Sequence, residues 1–339
     1  MRNACIVVQD LYKNNKLFDL NDLNVNRDNC MYSFYCLKML FEENNINLST
    51  QDINSIEESE IVLYIEMPET LPEKVNSMKS YLILFESEVI ISENWKIEKH
   101  KYFNKIFTWN DDFVDNKRYF KFNFSHKIPL NFKISNNDRM RFCTLIAGNK
   151  RSNNINELYS ERIRAIKWFE KNHIDEFDLY GTSWDKPIFL KPFHILNRFK
   201  ITRKLFASKY ISYKGKVNSK QETLLKYKFA ICYENAKNIP GYITEKIFDC
   251  FFAGTIPVYL GAPNISDFIP NNCFIDKRDY KSYDELYHYL KIMSKKEVNN
   301  YLKSIEKFVN SHKIDSFSAE KFAEIIVTNV IQRPTRYEN

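Results

Sequence analysis

The run Tyr227-Lys228-Phe229-Ala230-Ile231-Cys232-Tyr233-Glu234-Asn235, followed by Pro240-Gly241-Tyr242-Ile243-Thr244-Glu245-Lys246-Ile247-Phe248, decides the fold. Residues 229–233 form a short apolar run that stops at two polar residues, which reads as a buried strand. Apolar residues recur at helical spacing over 243–252, so a helix is expected to start near Tyr242. Residues 256–260, Ile-Pro-Val-Tyr-Leu, read as the next strand. Strand, helix and strand in this order imply a parallel sheet. In such sheets ligands sit outside the carboxyl ends of the strands, and a helix N-terminus offers unpaired N–H groups to an anion.

The same alternation extends in both directions. Upstream, 142–147 reads as a strand, Gly148-Asn149-Lys150 as a turn, 157–170 as a helix and 177–180 as a strand. Nearer the start, 4–8, 61–65, 81–85 and 106–109 read as strands, and 29–43 as a helix with Met31, Phe34, Tyr35, Leu37, Leu40 and Phe41 at helical spacing. Downstream, 283–290, 295–309 and 318–331 look helical. The polar stretch 131–139, with Ser135-Asn136-Asn137-Asp138, reads as a linker. The expectation is α/β with two Rossmann-like domains, 1–138 and 139–312, and a C-terminal helix in 313–339 that packs back on the first. A length of 339 residues suits two domains.

Composition narrows the function. Hydrophobic residues make up 44% of the chain and aromatics 15%, enough for a sizeable core. The net charge of +7 is mild, with Lys and Glu interspersed. That suits an anionic ligand better than a nucleic-acid scaffold, although the interleaved Lys, Tyr and Phe of 117–127 keep a basic aromatic nucleic-acid binder as the rival class. No apolar run is long enough to span a membrane. The seven cysteines are scattered without CxxC spacing, which argues against a disulfide scaffold and a zinc site, and for a reducing cytoplasm. The six glycines all lie between Gly148 and Gly261, so GxGxxG is absent and glycine-dependent turns are expected only in the second half.

Three charged groups stand out. Lys246 falls in the first turn of a helix, where the dipole disfavours a cation by roughly 0.3–1 kcal/mol. A bound phosphate would neutralise it; the plainer reading is a tolerated surface lysine. Glu161-Arg162-Ile163-Arg164 places arginines on a helix, able to fork onto a diphosphate or simply to pair on a solvated face. Leu82-Ile83-Leu84-Phe85-Glu86-Ser87-Glu88 runs from a buried strand into carboxylates, where Glu86 is either a base or a solvated strand end. No two of the six histidines, and no histidine and cysteine, have metal-ligand spacing, and no P-loop or HExxH appears.

Residues 227–263 resemble the family 10 glycosyltransferases, the α1,3/4-fucosyltransferases. The matching pieces are Lys228-Phe229, Tyr233-Glu234-Asn235, Tyr242-Ile243-Thr244-Glu245-Lys246, Pro257-Val258-Tyr259-Leu260-Gly261 and Cys273-Phe274-Ile275-Asp276. More weakly, Gly148-Asn149, Glu161-Arg162 and Glu86-Ser87 look like family positions, with Glu88 standing where the family usually has proline. The resemblance implies a GT-B fold and GDP-fucose as donor, with no resident cofactor or metal. Arg162 and Lys246 would hold the diphosphate, with Arg164 the alternative if the register slips by two. Asn235, Tyr242 and Glu245 would line the nucleotide pocket, with Glu234 and Asn149 beside them. Glu86 would be the base of an inverting transfer to a glycan hydroxyl such as O3 of N-acetylglucosamine. Another nucleotide-sugar donor on the same fold is the nearer alternative. Animal members carry a membrane anchor and lumenal disulfides. This chain is expected to be of the bacterial or viral type, cytoplasmic, with room for peripheral membrane contact.

Overall fold

A computed structural model describes residues 2–135, 139–186 and 210–331. Part of the stretch read as a linker, 136–138, lies outside them. The chain divides into two compact units, residues 1–129 with 314–339, and residues 130–313.

The first unit is built on a six-stranded sheet, entirely parallel, in the order β2-β1-β3-β4-β5-β6. Its strands are β1 (Arg2–Val7), β2 (Ile46–Thr50), β3 (Ile61–Ile65), β4 (Ser80–Leu84), β5 (Lys105–Thr108) and β6 (Tyr119–Lys121). The central strands are apolar because both of their faces are covered: Leu82, Ile83 and Leu84 are fully buried. β2 and β6 go beyond the apolar runs of the sequence. β2 is Ile-Asn-Leu-Ser-Thr and β6 is a three-residue edge strand, so neither carries an apolar run to betray it.

Helix α1 spans Tyr32–Glu43, not 29–43. Asp28 and Asn29 adopt left-handed backbone (φ 56° and 59°), which a right-handed helix cannot include. Turns of the kind expected from glycine in the second half are thus also made in the glycine-free half, by other residues. Asn14, Asn15, Asn45 and Asn116 turn the same way, because asparagine tolerates that region better than other side chains. Glu66, directly after β3, is also left-handed (φ 65°), at a cost of about 1–3 kcal/mol for such a residue.

The C-terminal helix, Ala319–Val330, belongs to this unit and packs on α1. Its Phe322 lies 6.0 Å from the Phe34 ring and 5.8 Å from the Phe85 ring, while Phe122 stands 5.1 Å from Phe85. The aromatics of 117–127 are thus partly spent on the core, and Lys121 is bound by Asp111 at 2.5 Å.

The second unit holds a five-stranded parallel sheet in the order β11-β10-β9-β7-β8. These are β7 (Arg141–Ile146), β8 (Phe177–Tyr180), β9 (Tyr227–Tyr233), β10 (Ile256–Leu260) and β11 (Ile275–Asp276). The chain leaves β7 on one side to make β8 and returns on the other to make β9. The carboxyl ends of β7 and β9 therefore flank the switch point where open α/β sheets take ligands. All seven cysteines are free thiols, five of them buried as small apolar side chains.

Candidate active site

The buried carboxylate of Glu234 organises the carboxyl end of β9. It is 0% exposed and accepts bonds from the Thr244 amide (2.8 Å), the Thr244 hydroxyl (2.7 Å) and the Lys246 ammonium (3.2 Å). Lys246 also donates to the Thr244 hydroxyl at 2.8 Å and lies 3.6 Å from Glu245. The helix here, α3, spans Glu245–Ala253, so it starts later than Tyr242. Thr244 is its N-cap, on extended backbone, yet the hydroxyl serves Glu234 and Lys246 rather than the helix amides. Lys246 is thus neither a surface lysine nor in need of phosphate to neutralise it. Its side chain is only 21% exposed and its charge is met from within. Burial pulls its pKa down, and the carboxylates of Glu234 and then Glu245 more than reverse this, holding it above the ordinary lysine value.

Gly261, after β10, makes room for this arrangement. A Cβ there would stand 2.5 Å from Glu234 Cγ and 2.5 Å from the Tyr259 hydroxyl, both on fully buried side chains. Gly261→Ala is expected to cost about 1–3 kcal/mol, read as a lowered midpoint in denaturant.

Arg162 comes from helix α2, Tyr159–Asn172. Its Nη2 donates to the Tyr233 carbonyl (2.6 Å) and to Asn235 Oδ1 (3.0 Å), and the guanidinium lies 5.3 Å from the Tyr159 ring centre. Arg162 is 4% exposed, and burial lowers its pKa from the ordinary value. Arg164 is on the opposite footing: 69% exposed and paired with Glu161 at 2.5 Å. Burial therefore selects Arg162 between the two. A signal was present in the sequence, because Tyr159, Arg162, Ile166 and Phe169 share one buried helical stripe and Arg164 falls off it.

Asn235 links Arg162 to Tyr242, accepting from the guanidinium and donating from Nδ2 to the buried Tyr242 hydroxyl at 3.4 Å. The Arg162 charge lowers the proton affinity of Lys246, a smaller effect than that of the carboxylates. The structure thus gathers Arg162, Glu234, Asn235, Tyr242, Glu245 and Lys246 at one strand end. Asn149 leaves the carboxyl end of β7 but is bound to the next loop, its amide to the Thr182 carbonyl (2.8 Å) and its Nδ2 to the Ser183 carbonyl (3.0 Å). Thr244 and Gly261 stand inside the matching motif pieces but were given no role there; the structure shows Thr244 bonding both Glu234 and Lys246, and Gly261 leaving room beside Glu234.

Residues 190–327 match the family model for glycosyltransferase family 10 (fucosyltransferase), C-terminal. Over these residues the chain is similar to glycosyltransferase family 10. Among family relatives, it is 44% identical over 78 residues to the alpha-(1,3)-fucosyltransferase FucT of Helicobacter pylori, a match covering 23% of this chain and 16% of that protein. With an alpha-(1,4)-fucosyltransferase of Arabidopsis thaliana it shares 40% over 65 residues, 19% of this chain and 16% of the relative. The matches span about a sixth of those relatives' own length. The chain also shares its fold with a solved alpha1,3-fucosyltransferase crystallised with GDP (TM-score 0.57, 18% identity, 100% of this chain and 93% of that one) and with GDP-fucose (TM-score 0.54, 17%, 100% and 93%). T4 phage BGT, in complex with UDP and Mn2+, is similar at TM-score 0.54 and 12% identity, over 98% of this chain and 100% of that one.

Glu86 lies in the first unit, in the turn after β4. Its amide is bound by the Glu66 carboxylate at 2.9 Å, and its carbonyl accepts from Asn94 Nδ2 (3.1 Å) and the Trp95 indole (3.1 Å). Glu66 is a second acid that the sequence reading passed over. Burial, and then the Glu86 charge, push its carboxyl from 4.5 up to about 8 against the pull of the amides it accepts. The folded chain thus keeps a proton that the unfolded chain loses above pH 4.5. Stability is expected to fall as pH rises from about 4.5 to about 8, by at most about 5 kcal/mol from this group, and to level off above. Melting temperatures measured from pH 5 to 9 should show this slope, and Glu66→Gln should lack it.

Among the described residues no group of three or more His, Cys, Asp or Glu is placed to hold a metal ion, and no helix is long and apolar enough to cross a membrane.

Proposed function

We propose that this chain transfers L-fucose from GDP-fucose to a hydroxyl of a glycan acceptor, with inversion at the anomeric carbon. The observation that carries the reading is the Arg162–Asn235–Glu234–Lys246 cluster at the switch point of the second unit. It combines a buried arginine and a half-buried lysine with the first-turn amides of α3, which have no partner inside the helix. A leaving diphosphate gains negative charge as its bond to the sugar breaks, and preorganised donors of this kind are what stabilise it. Asn235, Tyr242 and Glu245 complete the pocket of the nucleotide, and Asn149 borders it from the neighbouring strand.

The acceptor oxygen attacks the anomeric carbon while the bond from that carbon to the diphosphate breaks. Glu86 takes the acceptor hydroxyl proton, and GDP departs with the electron pair. With Arg162 and Lys246 supplying the countercharge, no divalent metal is required. Turnover is expected to persist within about twofold in excess EDTA, and its loss would overturn the metal-independent part.

Because similar folds hold UDP in other proteins, the donor is the point to test. Thermal stability is measured with GDP-fucose, GDP-mannose and UDP-glucose in turn. At one hundred times Kd the true donor adds about 2.7 kcal/mol, a rise of roughly 5–10 °C. GDP-fucose should give that rise, and a glycan ending in N-acetylglucosamine should gain one deoxyhexose by mass. Protection by UDP-glucose alone would replace the donor, and a nucleic acid protecting better than any nucleotide would replace the class. The reading places the enzyme in the cytoplasm, where GDP-sugars are at hand.

A further inference from the structure

Glu66 is out of keeping with its surroundings. Among the described residues of the first unit, seven have left-handed backbone; six are Asn or Asp and the seventh is Glu66. The turn itself gives no reason for glutamate, since this unit uses asparagine or aspartate at its other left-handed positions. What glutamate adds is reach. Its carboxylate crosses from the end of β3 to the end of β4, accepting the Glu86 amide at 2.9 Å and the Phe85 amide at 3.3 Å. Its own amide donates to the Ile83 carbonyl at 3.0 Å, so backbone and side chain grip the same strand end.

The other side of the turn is held as firmly. Asn94 is fully buried and bonded to the Glu66 carboxylate. Its Oδ1 accepts the Met67 amide at 2.9 Å, and its Nδ2 also donates to the Glu86 carbonyl. Trp95 donates to that same carbonyl, and Trp109 to the Phe85 carbonyl at 2.7 Å. The Asn94 carbonyl is in turn bonded by the buried His100 ring at 2.8 Å, whose other nitrogen meets the Tyr119 hydroxyl at 3.0 Å. Both peptide groups that flank the Glu86 Cα are therefore fixed by side chains from outside β4.

We propose that Glu66 is a positioning residue for Glu86: reaching out from a left-handed turn, its carboxyl pins the amides of Phe85 and Glu86 and so sets the direction in which the Glu86 carboxylate leaves the chain. The inference rests on Glu86 being the base. A base displaced by about an ångström loses on the order of 10²-fold in rate, so the effect belongs in kcat.

The test is Glu66→Asn. Asparagine suits the left-handed backbone but is too short to reach the two amides. The expected result is a melting temperature a few degrees below wild type, since the two amides and Asn94 lose an acceptor, with KM for GDP-fucose and Kd for GDP within about twofold and kcat per folded molecule lower by about 10–100-fold. Glu66→Gln keeps the reach and one accepting oxygen, and should recover part of the rate. Unchanged kcat in Glu66→Asn overturns the proposal. So does a rate loss that vanishes once activity is scaled to the folded fraction, since that marks a merely structural role. Glu86→Gln, measured alongside, separates the two readings. Normal turnover there removes the base, and this inference with it. An inactive Glu86→Gln beside a fully active Glu66→Asn removes only the positioning role.

Discussion

Glu86→Gln is expected to lower kcat by about 10²–10⁴-fold while GDP binds as tightly as to wild type. Glutamine keeps the length and shape of the side chain but cannot take the proton of an attacking hydroxyl. The backbone bonds that hold this residue, from Glu66 to its amide and from Asn94 and Trp95 to its carbonyl, do not involve the side chain that changes. The turn should therefore stay in place and the melting temperature with it. The donor groups proposed here all lie in the second unit, so GDP affinity, measured by calorimetry, should not move. A variant with normal turnover would end the assignment of the base. One that loses GDP affinity together with rate would relocate Glu86 to donor binding.

The second large effect concerns Lys246. Lys246→Met removes the ammonium from a carboxylate with no exposed surface, and breaking a buried pair from one side typically costs about 3–5 kcal/mol. The variant should melt well below wild type and bind GDP at least about tenfold more weakly, a loss equivalent to about 1.4 kcal/mol. Adding Glu234→Gln separates the two losses. The double variant no longer leaves a buried carboxylate without its cation; Thr244 can still donate its amide to the glutamine oxygen, and the glutamine Nε2 can donate to the Thr244 hydroxyl oxygen that Lys246 vacates. Most of the stability should return while GDP affinity stays weak, because the diphosphate has still lost its cation. Wild-type GDP affinity in the double variant would sink the assignment of Lys246 to the diphosphate. A single variant as stable as wild type would show that Glu234 does not depend on it.

The two sites were unequally legible. Around β9 the letters themselves carry the information: an apolar strand, Glu-Asn at its end and Thr-Glu-Lys at a helix start can be read in order. Even there, the choice between Arg162 and Arg164 came from burial, and the countercharge of Lys246 came from a residue twelve positions earlier. Around Glu86 little could be read. Glu66, the adjacent pair Asn94-Trp95 and Trp109 lie far apart in sequence and belong to no shared motif; they meet because β3, β4 and β5 are neighbours in one parallel sheet. The asparagine-rich composition also concealed a structural use, since left-handed turns made by Asn leave no glycine to mark them.

The sequence by itself determined the class of the fold, most of its strands and helices, and the strand–loop–helix segment that carries the proposed donor site. These are local properties, set by periodicity, by turn residues and by what lies within a few positions along the chain. Only the tertiary structure decided which arginine is buried, what neutralises the lysine, why Gly261 has no Cβ and what holds Glu86. Each of those depends on the distance between residues far apart in the chain, and a parallel sheet fixes that distance through strand order, which no local stretch of letters encodes.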